Sequence, residues 1–487
     1  MFQGKVTIPL AITALVSVLG NSMPHGFNTG VLNAPQAVMI DFINSSFVSH
    51  YAYEPSESLT TLLYSITVSI YLVGGCAGAL GAGWLADKLG RKKAILMLTS
   101  FGFAAAVLFF FSKMANSFEM IIAGRLLVGI GCGAGSGVVP MYLTEIAPLN
   151  IRGGMGVLHQ CGLTFGIFTS VVIGLSEVFG NEERWNFLLA FTAVPCLICA
   201  VVLPWFPESP RYLLVNKQNR NLAKKALQTF RGVDDVSPDL DEMEYDLEQQ
   251  EKEPEWNFKQ LLASPMLRLP LILVCSLAML QQLSGINFVF YYSSSVFENG
   301  GVPQESSQYA TLGVCFINFL MTGISVPLME RCGRRPLLLV GMALMAISML
   351  LLTLALVFQE AVPWLSYISI VVTILYVIGF AVGLGSIPQF IPAELFTQGP
   401  RPPAMSIAGL LNWLCNFFVG IAFPSMQSTM GPYAFIFFMA MVVAFGILLY
   451  LKLPETKNKT YAELQEHFKR ALPEEVMNTN MNCQKWQ

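Results

Sequence analysis

Long apolar runs separated by short polar stretches recur twelve times along the chain. Each approaches the ~20 residues that a helix rising 1.5 Å per residue needs to cross a ~30 Å hydrocarbon core. The runs fall at about 6–33, 60–85, 93–112, 119–142, 156–178, 186–206, 269–297, 308–328, 336–358, 364–390, 404–424 and 431–451. The longest polar stretch, Pro207 to Arg268, divides them six and six. Within it, Asn221–Phe230 and Asp239–Gln250 read as short soluble helices, the second led by acidic residues. The pattern predicts an all-α membrane protein with twelve transmembrane helices in two six-helix bundles, 1–206 and 269–453. A helical linker at 207–268 joins them and a tail at 454–487 follows.

Lys and Arg orient the chain, because short inner loops carry the excess of positive charge. One set of loops holds only Lys113 and Arg184. The other holds Lys88, Arg91, Lys92, Lys93, Arg152, the basic residues from Arg211 to Arg268, Arg331, Arg334, Arg335 and Arg401, and the tail adds Lys452, Lys457 and Lys459. Both termini and the linker are therefore expected in the cytoplasm. Asn44-Ser45-Ser46 is a glycosylation sequon in the first outer loop, so Asn44 is the expected glycan site. Asn458-Lys459-Thr460 lies inside and should stay bare. Met1 to Gly20 imitates a signal peptide, but the run continues through Val31 without a strong cleavage site, which fits an uncleaved first span.

Composition agrees. Apolar residues make up 54% of the chain and charged residues 12%, about half the ~25% usual in soluble domains. Net charge is −3, and no basic patch interleaved with aromatics suggests nucleic acid. The ten cysteines fall in apolar runs, at an inner turn (Cys332) or in the tail (Cys483), so no disulfide framework is expected. Cys196 and Cys199 sit inside an apolar run with no second pair, which reads as packing rather than metal binding.

The two halves repeat each other at an offset of about 245 residues. Asp87-Lys88-Leu89-Gly90-Arg91-Lys92 recurs as Glu330-Arg331-Cys332-Gly333-Arg334-Arg335, and Glu145 with Arg152 recurs as Glu394 with Arg401. Pro207-Glu208-Ser209-Pro210-Arg211 recurs as Pro454-Glu455-Thr456-Lys457. Paired repeats with a site between them are an architecture of secondary transporters. Every charged motif sits where a span meets the cytoplasm, so its carboxylates are expected to be paired or interfacial. Arg91, Glu145, Arg152, Glu208, Arg211, Glu330, Arg334, Arg335, Glu394 and Arg401 form a candidate cytoplasmic gate, a latch of Arg–carboxylate pairs between bundles. The plainer alternative is positive-inside anchoring. Arg125, at the start of its span, is expected to be one member of a structural pair.

Uncharged polar residues within spans are the second signal: Gln160, Gln281, Gln282, Asn287, Asn318, Asn412 and Asn416, with Trp413 beside them. Amides offer donor and acceptor without charge, and an aromatic offers a flat apolar face, which together suit a sugar. A single such amide is more often interhelical glue, but seven favour a polar cavity. No H-E-x-x-H or phosphate-binding Gly-Lys-Ser/Thr loop occurs, and the four histidines show no ligand spacing. No enzyme activity, metal or other cofactor is expected.

These motifs resemble one family closely. Gly83-x-x-x-Asp87-x-x-Gly90-Arg91-Lys92, Pro140-x-Tyr142-x-x-Glu145-x-x-Pro148-x-x-x-Arg152-Gly153, Pro207-Glu208-Ser209-Pro210-Arg211, Gln281-Gln282-Leu283-Ser284-Gly285-Ile286-Asn287, Glu330-Arg331-x-Gly333-Arg334-Arg335, Asn412-Trp413 and Pro454-Glu455-Thr456-Lys457 run in order through nearly the whole chain. The chain resembles the sugar-porter branch of the major facilitator superfamily, and within it the facilitative hexose transporters of animals. The resemblance implies the major facilitator fold, alternating access and a multi-pass protein of the plasma membrane. It implies a hexose, most simply D-glucose, held at mid-membrane by Gln160, Gln281, Gln282, Asn287 and Asn318. Phe380, Gln389, Trp413 and Asn416 complete the candidate cavity. Asn28 stands where proton-coupled relatives carry Asp, which favours uniport over symport. The tenth span departs from the family: Gly383-Leu384-Gly385-Ser386-Ile387-Pro388-Gln389 lacks two prolines, Gln389 replaces a Trp, and Ala381 replaces a Glu. Ala278-Met279-Leu280 also replaces the Gln-Leu-Ser of glucose-selective members. Fructose or broad hexose transport therefore stays open, as do a non-transporting sugar sensor and a channel.

Overall fold

The structure, a computed structural model, describes residues 6–252, 256–362, 364–397, 399–457, 459 and 461–470. The expectations for Asn458 and Cys483 lie outside the described residues. Eleven stretches are long and apolar enough to cross a membrane. The last, Arg401–Lys452, has 52 residues, too long for one crossing at 1.5 Å per residue. A turn at Gly431, with φ +56°, splits it in two, which gives twelve crossings.

The spans of the first half are α1 (Ile8–Gly30), α2 (Glu57–Leu89), α3 (Arg91–Ser112), α4 (Phe118–Ile146), α5 (Arg152–Ile173) and α6 (Trp185–Trp205). Those of the second are α7 (Pro265–Asn299), α8 (Gln304–Cys332), α9 (Arg334–Phe358), α10 (Leu365–Leu395), α11 (Arg401–Met430) and α12 (Ala434–Lys452). Three spans are irregular where they pass mid-membrane. α1 widens to a π turn at Val18–Ser22 and α10 at Ala381–Gly385. α7 breaks at Gly285, whose φ of +88° ends one helix and starts the next. Such departures free backbone groups that must find partners inside the protein. Tyr376 meets one of them, donating to the Ser284 carbonyl at 3.0 Å.

The halves meet along α2 against α11 and α5 against α8. Trp413 of α11 lies so close to α2 that a Cβ added at Gly75 would sit 2.2 Å from its ring. Phe165 packs on Phe319 and Phe168 on Phe316, with ring centroids 5.6 and 5.5 Å apart. Beyond them, at the end carrying Asn44, Asn33 is fully buried and crosses the interface. Its Nδ2 donates to the carbonyls of Val289 and Phe290 and to Ser293 Oγ, and its Oδ1 accepts from Ser294 N, all within 3.2 Å. Tyr309 also donates to Glu177, and Ser176 N to Gln308. At the other end, which carries the charged motifs, Gly81 and Gly83 of α2 and Gly409 of α11 face open space. The molecule is closed at the Asn44 end and open at the motif end.

Helices outside the membrane hold both ends in place. Gln36–Tyr51 was not expected from the sequence; it buries Met39, Ile43, Ser46 and Phe47, the spacing of one helical face. Ser46 Oγ donates to Asn116 O at 2.6 Å and accepts from Phe118 N at 3.2 Å, while Thr60 donates to Asn44 Oδ1 at 2.7 Å. In the linker, the two expected soluble helices appear as Arg220–Arg231 and Ser237–Lys252, flanked by Pro210–Val215 and Phe258–Ala263. Asn219 caps the first, and Gly232, with φ +68°, ends it. After α12, Tyr461–Arg470 buries Leu464 and Phe468.

Candidate functional site

Four of the mid-span amides, Gln281, Gln282, Asn287 and Asn412, form one connected set in the second half. Asn287 Nδ2 donates to Gln282 Oε1 at 2.6 Å, and Gln282 Nε2 donates to Asn412 Oδ1 at 3.0 Å. Asn412 Nδ2 donates in turn to Gln281 Oε1 at 2.8 Å. Gln281 Nε2 then reaches the carbonyls of Leu384 and Gly385, at 2.8 and 3.3 Å, within the π turn of α10. The amides thus fill the backbone gap that the π turn opens, and hold α7, α10 and α11 together. Asn416 accepts from Tyr291 OH at 3.0 Å. Asn318 is buried, and its Nδ2 has no partner among the described residues. Phe380 is buried at the start of the π turn, its ring 3.6 Å from where a Cβ on Gly385 would stand.

Beside this set, one amide pair crosses to the first half: Gln389 Nε2 donates to Gln160 Oε1 at 3.0 Å. Trp413 also spans the interface. His25 stacks on it, with centroids 5.2 Å apart and planes at 20°, and Tyr71 meets its edge. His159 stands 6.2 Å from His25 and shares a 2.7 Å hydrogen bond with Ser22. The sequence reading passed over His25 and His159 because it looked for ligand spacing; the two lie 134 positions apart and meet only through folding. Neutral amides, imidazoles and one indole can bind hydroxyls. Among the described residues no group of three His, Cys, Asp or Glu could hold a metal.

The charged motifs build two similar locks. In the first half Arg91 grips Glu145 with Nε at 2.9 Å and Nη2 at 3.0 Å, and Ser209 Oγ donates to the same carboxylate. In the second, Arg334 Nε and Nη2 each lie 2.9 Å from Glu394. Gly90 and Gly333, with φ of +93° and +91°, start α3 and α9 in a conformation that only glycine adopts freely. No residue of the same turn caps those helices. Glu208 does so from the linker, accepting from Lys92 N at 2.8 Å and Lys93 N at 3.4 Å. Glu455 does so from after α12, accepting from Arg334 N and Arg335 N at 3.0 Å. A carboxylate on free N–H groups at a helix start is favoured by both hydrogen bonding and the helix dipole. Glu455→Ala should therefore lower stability by about 1–2 kcal/mol, read as a lower melting temperature in detergent.

Other members of the set have different surroundings. Arg152, Arg211 and Glu145 line an open cleft with Asp239, Glu242 and Asp246 of the linker helix. Arg335 donates to Tyr450 O at 2.7 Å and Arg401 to the carbonyls of Ala393 and Phe396, both at 2.9 Å. Arg231 does the same for Ile146, so each half has an arginine on carbonyls at the end of its fourth span. Glu330 is exposed. Two expectations need correction. The ion pairs at these locks lie within one half, not between bundles, because each Gly-Arg turn points its guanidinium at the fourth span of its own half. Among the described residues, Arg125 is not half of an ion pair. It is fully buried and donates to the carbonyls of Thr67, Asn28 and Val68, with its guanidinium over the Tyr71 ring at 4.8 Å.

Comparison with known proteins accounts for this arrangement. The family described as "Sugar (and other) transporter" matches residues 13–468. The chain is 44% identical over 466 residues to solute carrier family 2, facilitated glucose transporter member 1, of Gallus gallus, covering 96% of this chain and 94% of that one. It is 41% identical over 464 residues to member 3 of Ovis aries, covering 95% and 93%. Among solved structures it is similar to the proton:xylose symporter XylE bound to 6-bromo-6-deoxy-D-glucose, at 25% identity and a TM-score of 0.76, covering 94% and 99%. An inward open XylE from E. coli matches the fold at 24% identity and the same score and coverage. With the twelve spans, the paired locks and a match over nearly its whole length, this chain belongs to the sugar transporter family of the major facilitator superfamily.

Proposed function

We propose that the protein carries hexose, D-glucose foremost, down its gradient across the plasma membrane by alternating access. The observation that carries this reading is the neutral polar cluster at the interface of two six-span halves, in a chain 44% identical to a facilitated glucose transporter. Gln160, Gln281, Gln282, Asn287, Asn318, Phe380, Gln389, Trp413 and Asn416 are the proposed sugar contacts. Residues 1–206 and 269–453 rock as two bodies, with 207–268 and 454–487 on the cytoplasmic side. The open end is then the cytoplasmic one, and the gate residues stiffen each body there. Asn44, at the closed end, is the proposed glycan site.

Uniport is supported at Asn28. Asn28 Nδ2 donates to Pro24 O and Thr192 Oγ1, at 2.9 and 3.1 Å, and an amide offers no proton to couple. Radiolabelled hexose uptake into proteoliposomes tests the whole reading: inside and outside concentrations should equalise whatever the pH gradient. Accumulation driven by an imposed pH gradient would refute uniport, and absence of uptake would refute transport.

Breadth of substrate turns on Gln389. The smaller amide, in place of an indole, leaves a roomier and more polar wall with less stacking against a pyranose. The wild type should therefore tolerate fructose beside glucose, and Gln389→Trp should raise the glucose-to-fructose uptake ratio several-fold. That substitution also removes the bond to Gln160. An unchanged ratio in competitive uptake would mean that Gln389 does not face the sugar.

A further inference from the structure

The two locks are alike but not equal. Arg91–Glu145–Ser209 in the first half corresponds by repeat to Arg334–Glu394–Thr456 in the second. In the first, both carboxylate oxygens are engaged, by Arg91 and by the Ser209 hydroxyl. In the second, Arg334 approaches Oε1 alone. Glu394 Oε2 and Thr456 Oγ1 are each buried without a partner among the described residues. One donor and one acceptor that are bonded in the first repeat are thus both orphaned in the second. Buried polar groups are rarely left so, because each gave up water to be there. The neighbouring contacts are intact. Glu455 still caps α9, and Lys457 Nζ still donates to Arg331 O at 2.8 Å. The segment around Thr456 is in place, and the hydroxyl–carboxylate bond of the first repeat has no counterpart among the described residues.

We propose that Thr456 is a positioning residue for Glu394: its hydroxyl donates to Glu394 Oε2 when the motif end closes, and the bond is released when that end opens, as it is here. The second lock is then the one that reports and biases the state of the gate, while the first stays made. This rests on the alternating-access reading above and adds a named switch to it. A ligand that closes the motif end should complete the second lock, and removal of the hydroxyl should disfavour the closed state without touching the sugar.

The test uses spin labels on facing spans. Gly83 of α2 and Ser406 of α11 lie about two turns from the Gly75–Trp413 contact toward the open end, and both are exposed. Labels at Gly83→Cys and Ser406→Cys, with exposed Cys332 replaced, report the separation of the halves in the full-length protein in nanodiscs. Thr456→Val should reduce the short-distance population relative to the long one about five-fold, the effect of one net hydrogen bond. Thr456→Ala should do the same without added bulk, and Thr456→Ser should match the wild type. Distance distributions for Thr456→Val and Thr456→Ala equal to wild type would overturn the proposal, and so would a shift in Thr456→Ser as large as theirs. A wild type that shows one separation with or without D-glucose would overturn alternating access itself, and the switch with it.

Discussion

Asn33→Ala should open the closed end. The side chain is wholly buried between the halves and makes four hydrogen bonds to α7, three through Nδ2 and one through Oδ1. Its truncation removes the Oδ1 acceptor from Ser294 N and the Nδ2 donor from the Val289 and Phe290 carbonyls, while Ser293 Oγ keeps Thr311 Oγ1 as a partner. The loss acts only on the conformation in which α1 touches α7, so it appears as a change in the balance of states rather than in stability. About 3 kcal/mol is at stake, roughly a hundred-fold in relative population. Spin labels at Glu57→Cys and Met430→Cys, on the facing ends of α2 and α11, should move from a short to a long distance. An unchanged distance would mean that the ring and backbone contacts around Asn33 hold that end by themselves.

Arg125→Met should cost about 3 kcal/mol of stability, the largest loss expected from a single side chain within the spans. The guanidinium is fully buried and gathers carbonyls from α1 and α2. Thr67 and Val68 lie inside a continuous helix, so their carbonyls also serve backbone N–H groups. Asn28 is in the last turn of α1, where the backbone runs out of donors, and Arg125 supplies one. Methionine fills similar volume but leaves that carbonyl bare in a low-dielectric interior. Arg125→Lys should rescue little, because one ammonium cannot span three acceptors laid out for a planar fork. Thermal melting in detergent checks both variants, and a Lys variant as stable as wild type would reduce the role of Arg125 to its charge.

The coarse architecture was legible because membrane crossing imposes a length and a polarity that a single sequence displays. The twelve runs, the two linker helices and the repeated motifs all appear in the structure. The mid-span amides were visible as polar residues in apolar runs, and four of them, Gln281, Gln282, Asn287 and Asn412, hydrogen-bond to one another. Their partners were not visible. Gln281 binds carbonyls that exist as free acceptors only because α10 forms a π turn 100 residues later. Glu208 and Glu455 repeat as letters, but their targets are backbone N–H groups, which have no letter. Asn33 falls at the end of the first apolar run, and nothing in that position shows that it bonds two carbonyls, one N–H and one hydroxyl of α7, more than 250 positions away. The helix at Gln36–Tyr51 was hidden because its buried face is short and mixed, with Ser46 among Met39, Ile43 and Phe47.

Ser46 also sets a clock on biosynthesis. In the finished fold the sequon at Asn44 is helical, its hydroxyl is tied to Asn116 and Phe118, and the Asn44 amide is tied to Thr60. On the proposal that Asn44 carries a glycan, attachment has to precede this docking, which engages both the sequon hydroxyl and the Asn44 amide. Phe118 follows Ser46 by 72 residues. At synthesis rates of about 5–20 residues per second, those residues emerge within roughly 4–14 s. On that proposal, the interval between the emergence of Ser46 and that of Phe118 is the window for modification, and slower elongation should raise the fraction of chains that carry the glycan.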